Sequence, residues 1–256
     1  MPRKYLMVLA LSFLFVFPSI NCVIAASSQK EEEIYVANFD YTPSTQATPG
    51  SAGVTFTVGN IRYQASAKDT KPWFMYPQFK NLDKAVRESL NKLLMAKGFS
   101  VSGPFDSYDL IPYSDKKAID LYLAPTIEVS VISPREVYSI EDIKLEVAGK
   151  IILEQREIVT RELMWAKSIP FKKFGFPFVL GIITWERLAN TRDAYNKKIK
   201  KTIASVELST ANMNDLAKEI EKQYPGLMAT IYKLIDPEEM RIIKKQCQEL
   251  KSKRGY

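Results

Sequence analysis

Apolar residues change their spacing repeatedly along this 256-residue chain, and each change of period predicts an element. In IYVANFD (34–40) they alternate, as in a short strand with one buried face. A Pro/Ser/Thr/Gly loop, TPSTQATPGSAG (42–53), leads to VTFTVGNIRYQ (54–64), which alternates again with Val54, Phe56 and Val58 on one side. These segments are expected to pair as antiparallel strands. From 78 to 97 the spacing turns helical: Phe79, Leu82, Val86, Leu90, Leu93 and Leu94 form one apolar stripe. Gly98 supplies a C-terminal cap, and FSVSG (99–103) returns toward the sheet.

FDSYDLIPYSDKK (105–117) reads as a loop with short helical turns, and IDLYLAPTIEVSVI (119–132) as a strand interrupted near Pro125. IKLEVAGKIILEQ (143–155) places Ile143, Leu145, Val147, Ile151 and Leu153 on one face across Gly149. With RELMWAKSI (161–169), which alternates through Leu163 and Trp165, it predicts a hairpin. FKKFGFPFVLGIITW (171–185) has no clean period and reads as an aromatic, glycine-bearing loop. From Met213 the helical spacing returns through Leu216, Ile220, Tyr224, Leu227, Ile231 and Leu234, and Pro225-Gly226 is expected to kink or divide that helix. Asp236, Pro237, Glu238 and Glu239 start a last helix with the seam Met240, Ile243, Cys247 and Leu250. The tail KSKRGY is polar and expected to fray.

Strands, a helix, more strands and then helices predict an α+β fold. The expected form is an antiparallel or mixed sheet with helices on one face. It would occupy a single domain, 27–256, ending in a helical segment from about 212 to 254.

The first 26 residues stand apart. Arg3 and Lys4 precede an apolar run from Tyr5 to Phe17, and Pro18 ends it. The run falls short of the roughly 20 residues a spanning helix needs, so it reads as an export signal. Two cuts compete within INCVIAASSQ (20–29). A cut before Cys22 would leave a lipid-bearing cysteine, and a cut after Ala25 or Ala26 would discard it. Small residues one and three before the cut suit ordinary signal peptidase, and Val23-Ile24-Ala25 matches that pattern better than Ser19-Ile20-Asn21 matches a lipobox.

The formal net charge is +7; losing Arg3 and Lys4, with no acid among the first 26 residues, gives 7 − 2 = +5. An exported basic protein meets anionic lipid, acidic glycans or acidic partner surfaces before it meets nucleic acid. KKIKK (197–201) is therefore read as a solvated helix face, and no nucleic-acid partner is expected. With Cys22 removed or lipidated, Cys247 has no disulfide partner, and the domain must rely on its core.

The chain has no histidine, which removes the commonest general base, the Ser-His triads and most zinc sites. The best acidic cluster is Asp106, Asp109, Asp115 and Asp120, whose spacing fits turns and caps better than a calcium loop. Cys247 lies on an apolar seam with no base to activate it and reads as a core thiol. No catalytic residue, cofactor or metal is expected. Two features point to binding. One is the aromatic stretch Phe171, Phe174, Phe176, Phe178 and Trp185 beside Lys172 and Lys173, either a docking loop for a partner or membrane interface or a cover over the sheet's open end. The other is the basic last helix, with Arg241, Lys244, Lys245, Lys251, Lys253 and Arg254, read mainly as a solvated face.

Two blocks resemble the neuraminyllactose-binding hemagglutinin family, bacterial cell-envelope lipoproteins also described as flagellar-sheath adhesins. They are LNKLLMAKGFSVSGPFDSYDLIPYSDKKAIDLYLAPTIEV (90–129) and NDLAKEIEKQYPGLMATIYKLIDPEEMRIIKKQCQELKSKR (214–254). The shared order is a helix ending in Lys-Gly-aromatic, a strand, an acidic loop, a lysine and a long strand; 147–171 matches more loosely. The resemblance implies an α+β, non-enzymatic protein of the outer membrane, lipidated at Cys22. The family's sialyl-lactose motif is a short basic run after the long strand. Here ISPREVYSIED (132–142) holds Arg135 as its one base, so no sugar-binding residue is carried over.

The leading expectation is a non-catalytic cell-envelope protein, adhesin-like or a flagellar-sheath component, whose partners are outer-membrane or envelope proteins, acidic glycans or anionic lipid. A second is a soluble periplasmic accessory factor docking through 171–185. A third, a carboxylate-dependent hydrolase, would rest on the four aspartates of 106–120.

Overall fold

The computed structural model describes residues 33–64, 72–105, 107–132, 144–177 and 209–255. At its centre are two long antiparallel strands, β4 (Leu121–Ile132) and β5 (Lys144–Glu157), in register from Leu121↔Glu157 to Ile132↔Glu146. Each carries two short strands along its outer edge. β1 (Thr55–Val58) and β2 (Arg62–Gln64) run parallel to β4, while β6 (Leu163–Pro170) and β7 (Phe174–Pro177) run antiparallel to β5. β3 (Ser100–Val101) adds to β1, so the order is β3-β1-β4-β5-β6 with β2 on β4 and β7 on β5. The sheet is mixed and the fold is α+β.

Alternation sets the core face. Leu121, Leu123, Ile127 and Val129 of β4 and Leu145, Val147, Ile151 and Leu153 of β5 are all buried. Helices α1 (Leu82–Ala96), α3 (Thr210–Leu234) and α4 (Pro237–Lys253) contribute their stripes to the same cluster. Side chains such as Leu90, Leu93, Leu216 and Ile231, fully buried, are each worth roughly 1.5–3 kcal/mol relative to exposure. A second, smaller cluster of Ile111, Ile119 and Ile158 seats the 105–119 arm, which includes the short helix α2 (Tyr113–Ala118). Helix α1 ends as its sequence predicts: Gly98, at φ 86°, donates to Met95 O, and Phe99 donates back to Leu94 O.

Four expectations are corrected. Residues 34–40 form no strand, although Ala37 and Phe39 are buried as the alternation requires. Their backbone donors go elsewhere: Tyr35 N to the Asn214 side chain and Ala37 N to Gln78 O. β1 and β2 pair with β4 in parallel, because α1 and β3 intervene and bring the chain back to start β4 at the same end. Pro125 does not interrupt β4. It falls where the parallel partner changes from β1 at Leu123 to β2 at Thr126, so its missing N–H lies in the gap between two ladders. Pro225 does not divide α3, which runs unbroken from Thr210 to Leu234; Tyr224, Leu227 and Met228 beside it are buried and keep that turn packed on the core.

Candidate interaction surface

The aromatic stretch begins as part of the sheet. Phe171 is buried, and its N–H donates to Gly149 O at 2.8 Å. Its ring occupies the space over Gly149, where an added Cβ would come within 2.5 Å of the ring and 2.6 Å of Glu128 O. Gly149 is what lets β5 accept that ring. The chain then enters β7, whose register sets Phe174 opposite Val147 and Phe176 opposite Leu145, both core positions. Phe174 is half-buried and packs on the core cluster. Between them the Lys172 backbone is clamped to the Gln223 side chain of α3, at 2.9 Å through its N–H and 3.0 Å through its carbonyl. Residues 174–177 are therefore strand, not loop, and of residues 171–175 Lys172, Lys173 and Gly175 are exposed. Phe178 and Trp185 lie outside the described residues, as do Cys22, Asp106, Arg135 and the 197–201 run.

The basic helix is not a solvated face throughout. Arg241 Nε donates to Ala52 O at 3.0 Å, and Lys244 Nζ reaches Gly53 O at 2.8 Å and Asp120 at 3.0 Å. Lys251 pairs with Glu157 at 3.1 Å, and Arg254 with Glu162. Of the six basic residues singled out, Lys245 and Lys253 remain as exposed outward charges.

The acidic residues likewise serve the fold. Asp109 pairs with Arg161, Asp115 sits in the first turn of α2, and Asp120 accepts Thr55 N–H at 2.9 Å besides its lysine. Among the described residues no group of three or more metal-ligating side chains converges. Cys247 is buried, and burial, with the nearby Glu157 carboxylate, pushes its thiol up to about 12, so it is not a thiolate at neutral pH.

The structure adds features that periodicity did not show. The 105–119 arm leaves Leu110 66% and Tyr113 55% exposed. Around them cations sit on tyrosine rings: Lys116 and Arg161 over Tyr108 at 4.3 and 4.0 Å, and Lys117 over Tyr113 at 4.8 Å. The Tyr113–Lys117 spacing of four on a helix was visible in the sequence; the others join residues about fifty apart or separated by a turn. Arg161 adopts φ 62°, a left-handed conformation uncommon outside glycine, in the turn between β5 and β6. A small apolar cavity lies between sheet and helices, lined among others by Trp73, Val86, Ile127, Ile151, Phe171 and Tyr224. It has room for about one water molecule, and the buried Trp73 N–H has no partner among the described residues. No helix among the described residues is long and apolar enough to cross a membrane.

No protein-family model matches the chain, and no curated protein matches it. Solved structures do. A neuraminyllactose-binding hemagglutinin homolog from Helicobacter pylori superposes with a TM-score of 0.54 at 17% identity, covering 84% of this chain and 99% of that one. A lipoprotein from Neisseria meningitidis aligns with a TM-score of 0.30 at 10% identity, over 60% of this chain and 99% of that one, too distant for more than mention. The chain shares the fold of the hemagglutinin homolog over nearly that protein's whole length.

Proposed function

We propose that this chain is an exported, non-catalytic protein of the cell envelope, associated with the outer membrane and adhesin-like in role. The observation that carries the reading is the fold shared with the hemagglutinin homolog along 99% of its chain. Two others support it. The first 26 residues have the composition of an export signal. Of the candidates for chemistry that the structure describes, Asp109 and Asp120 are ion-paired, Asp115 lies in the first turn of α2 and the Cys247 thiol is packed in the core. Cys22 is the proposed anchor, and envelope proteins, acidic glycans and anionic lipid are the proposed partners.

The test is the intact mass of the protein purified from cell envelopes, with its N-terminal peptide. A start at Cys22 carrying added acyl mass establishes the anchored form. A start at Ala26 or Ser27 removes the anchor and leaves a released periplasmic protein. An unprocessed Met1 start in the cytoplasmic fraction overturns the proposal. Titration with sialylated glycans at millimolar concentration then separates an adhesin from an envelope component that binds no such glycan.

A further inference from the structure

The last helix is attached to the domain unlike any other element. Its buried side chains are Met240, Ile243 and Cys247. The rest of its attachment is polar and reaches one end of the sheet. Lys244 meets Asp120, just before β4; Lys251 meets Glu157, the last residue of β5; Arg254 meets Glu162, just before β6. In the opposite sense, Glu239 accepts the Trp165 indole N–H from β6 at 3.0 Å.

Glu157 is the pivot of this arrangement. Its side chain has no exposed surface, and its carboxylate accepts backbone N–H groups from Val159 and Thr160 as well as the Lys251 ammonium. Protonation would remove its charge and set an O–H against donors. Two residues earlier on the same face of β5 is Gln155, fully buried, with neither amide atom partnered among the described residues. Its neighbours on that face, Glu157 along the strand and Trp165 across it, both bond to α4. That amide thus lies between the two side chains that tie α4 to the sheet, and open water would satisfy it. Finally, α4 joins α3 through Ile235 and Asp236 and contributes no strand to the sheet, so it can move off without breaking a ladder.

We infer that α4 is an acid-released latch: protonation of the buried Glu157 undocks the helix as a unit while the sheet, α1 and α3 stay folded. Lys251 faces Glu157 directly; the Lys244–Asp120 and Arg254–Glu162 pairs lie on the same end of the sheet, and the Cys247 thiol is near Glu157, Lys251 and Asp120. The sign follows from Glu157. Burial works to raise its carboxyl, but the Thr160 and Val159 donors and Lys251 outweigh it and hold it below the usual carboxylate range. The contribution is thus complete above that range and is lost as pH falls through the lowered folded value.

Cys247 reports the motion, since its burial depends on α4. The full chain is treated with a pyridyl disulfide, which reacts with thiols in acid, from neutral to about pH 3. Labelling is read on the Cys247 peptide and core packing by near-ultraviolet circular dichroism. The expected result is a rise in labelling of up to about tenfold per pH unit as pH falls below the usual carboxylate range, ahead of any change in the core signal. Labelling that appears only together with loss of the core signal overturns the inference. Glu157→Gln should label at neutral pH with the core intact. Should that variant not fold, Lys251→Met, which removes the cation from the helix side, should move the onset to higher pH; an unmoved onset overturns the inference as well.

Discussion

Helices α3 and α4 are consecutive, both amphipathic and both rich in charge, yet opposite forces hold them. α3 buries Met213, Leu216, Ala217, Ile220, Tyr224, Leu227, Met228 and Ile231, and it packs on α1, β6 and β7. α4 buries three side chains and reaches the sheet end through lysines and arginines. Dry apolar contact is insensitive to pH and salt, whereas a charged contact depends on both. The comparison separates a helix that belongs to the cooperative core from one fastened onto it. Sequence amphipathicity alone does not distinguish them, because both stripes recur at the same spacing.

The largest expected effect lies in α3. Leu216→Ala leaves a cavity among fully buried neighbours and should lower global stability by about 2–5 kcal/mol in urea denaturation. The loss should be the same in low and high salt and should appear equally at every probe of the domain. A loss confined to α3, with the sheet unaffected, would place α3 outside the core and remove the contrast.

Asp236→Ala should act less strongly and more locally. The Asp236 carboxylate accepts the Glu238 and Glu239 N–H groups at 2.9 and 3.0 Å, and losing such a cap costs about 1 kcal/mol. Hydrogen exchange should quicken along α4 and leave α1 and the β4–β5 amides unchanged. Equal quickening throughout would mean that α4 unfolds only with the domain, and the latch would go with it.

Much of the architecture was legible because local physics governed it. The stripe from Leu82 to Leu94 made α1, Gly98 ended it with a left-handed residue, and Asp236-Pro237 began α4. The alternation of Leu145, Val147, Ile151 and Leu153 marked the core face of β5 across Gly149. What failed depended on partners distant in sequence. Residues 34–40 alternate like a strand but spend their donors on Asn214 and Gln78. Spacing left Phe171 open between a docking loop and a cover on the sheet; the space over Gly149, on the neighbouring strand, decides for the cover. The candidate surface was least legible: spacing told which face of α4 was basic, but not that Asp120, Glu157 and Glu162 would converge under it.

The smallest expected effect sharpens the comparison most. Arg254 and Glu162 form an ion pair like Lys251 and Glu157, but their side chains are 47% and 44% exposed, whereas Glu157 is 0% exposed. Water and salt screen the outer pair, and such pairs contribute about 0–1 kcal/mol. Arg254→Ala should therefore change α4 protection only marginally, and raised ionic strength should erase what change there is. The same salt should leave the inner pair largely intact, because its carboxylate is shielded by the Val159 and Thr160 backbone and by the helix. If hydrogen exchange in α4 responded as strongly to Arg254→Ala as to Lys251→Met, the number of charges would decide the attachment rather than their depth. A marginal response assigns the hold of the helix to one buried carboxylate.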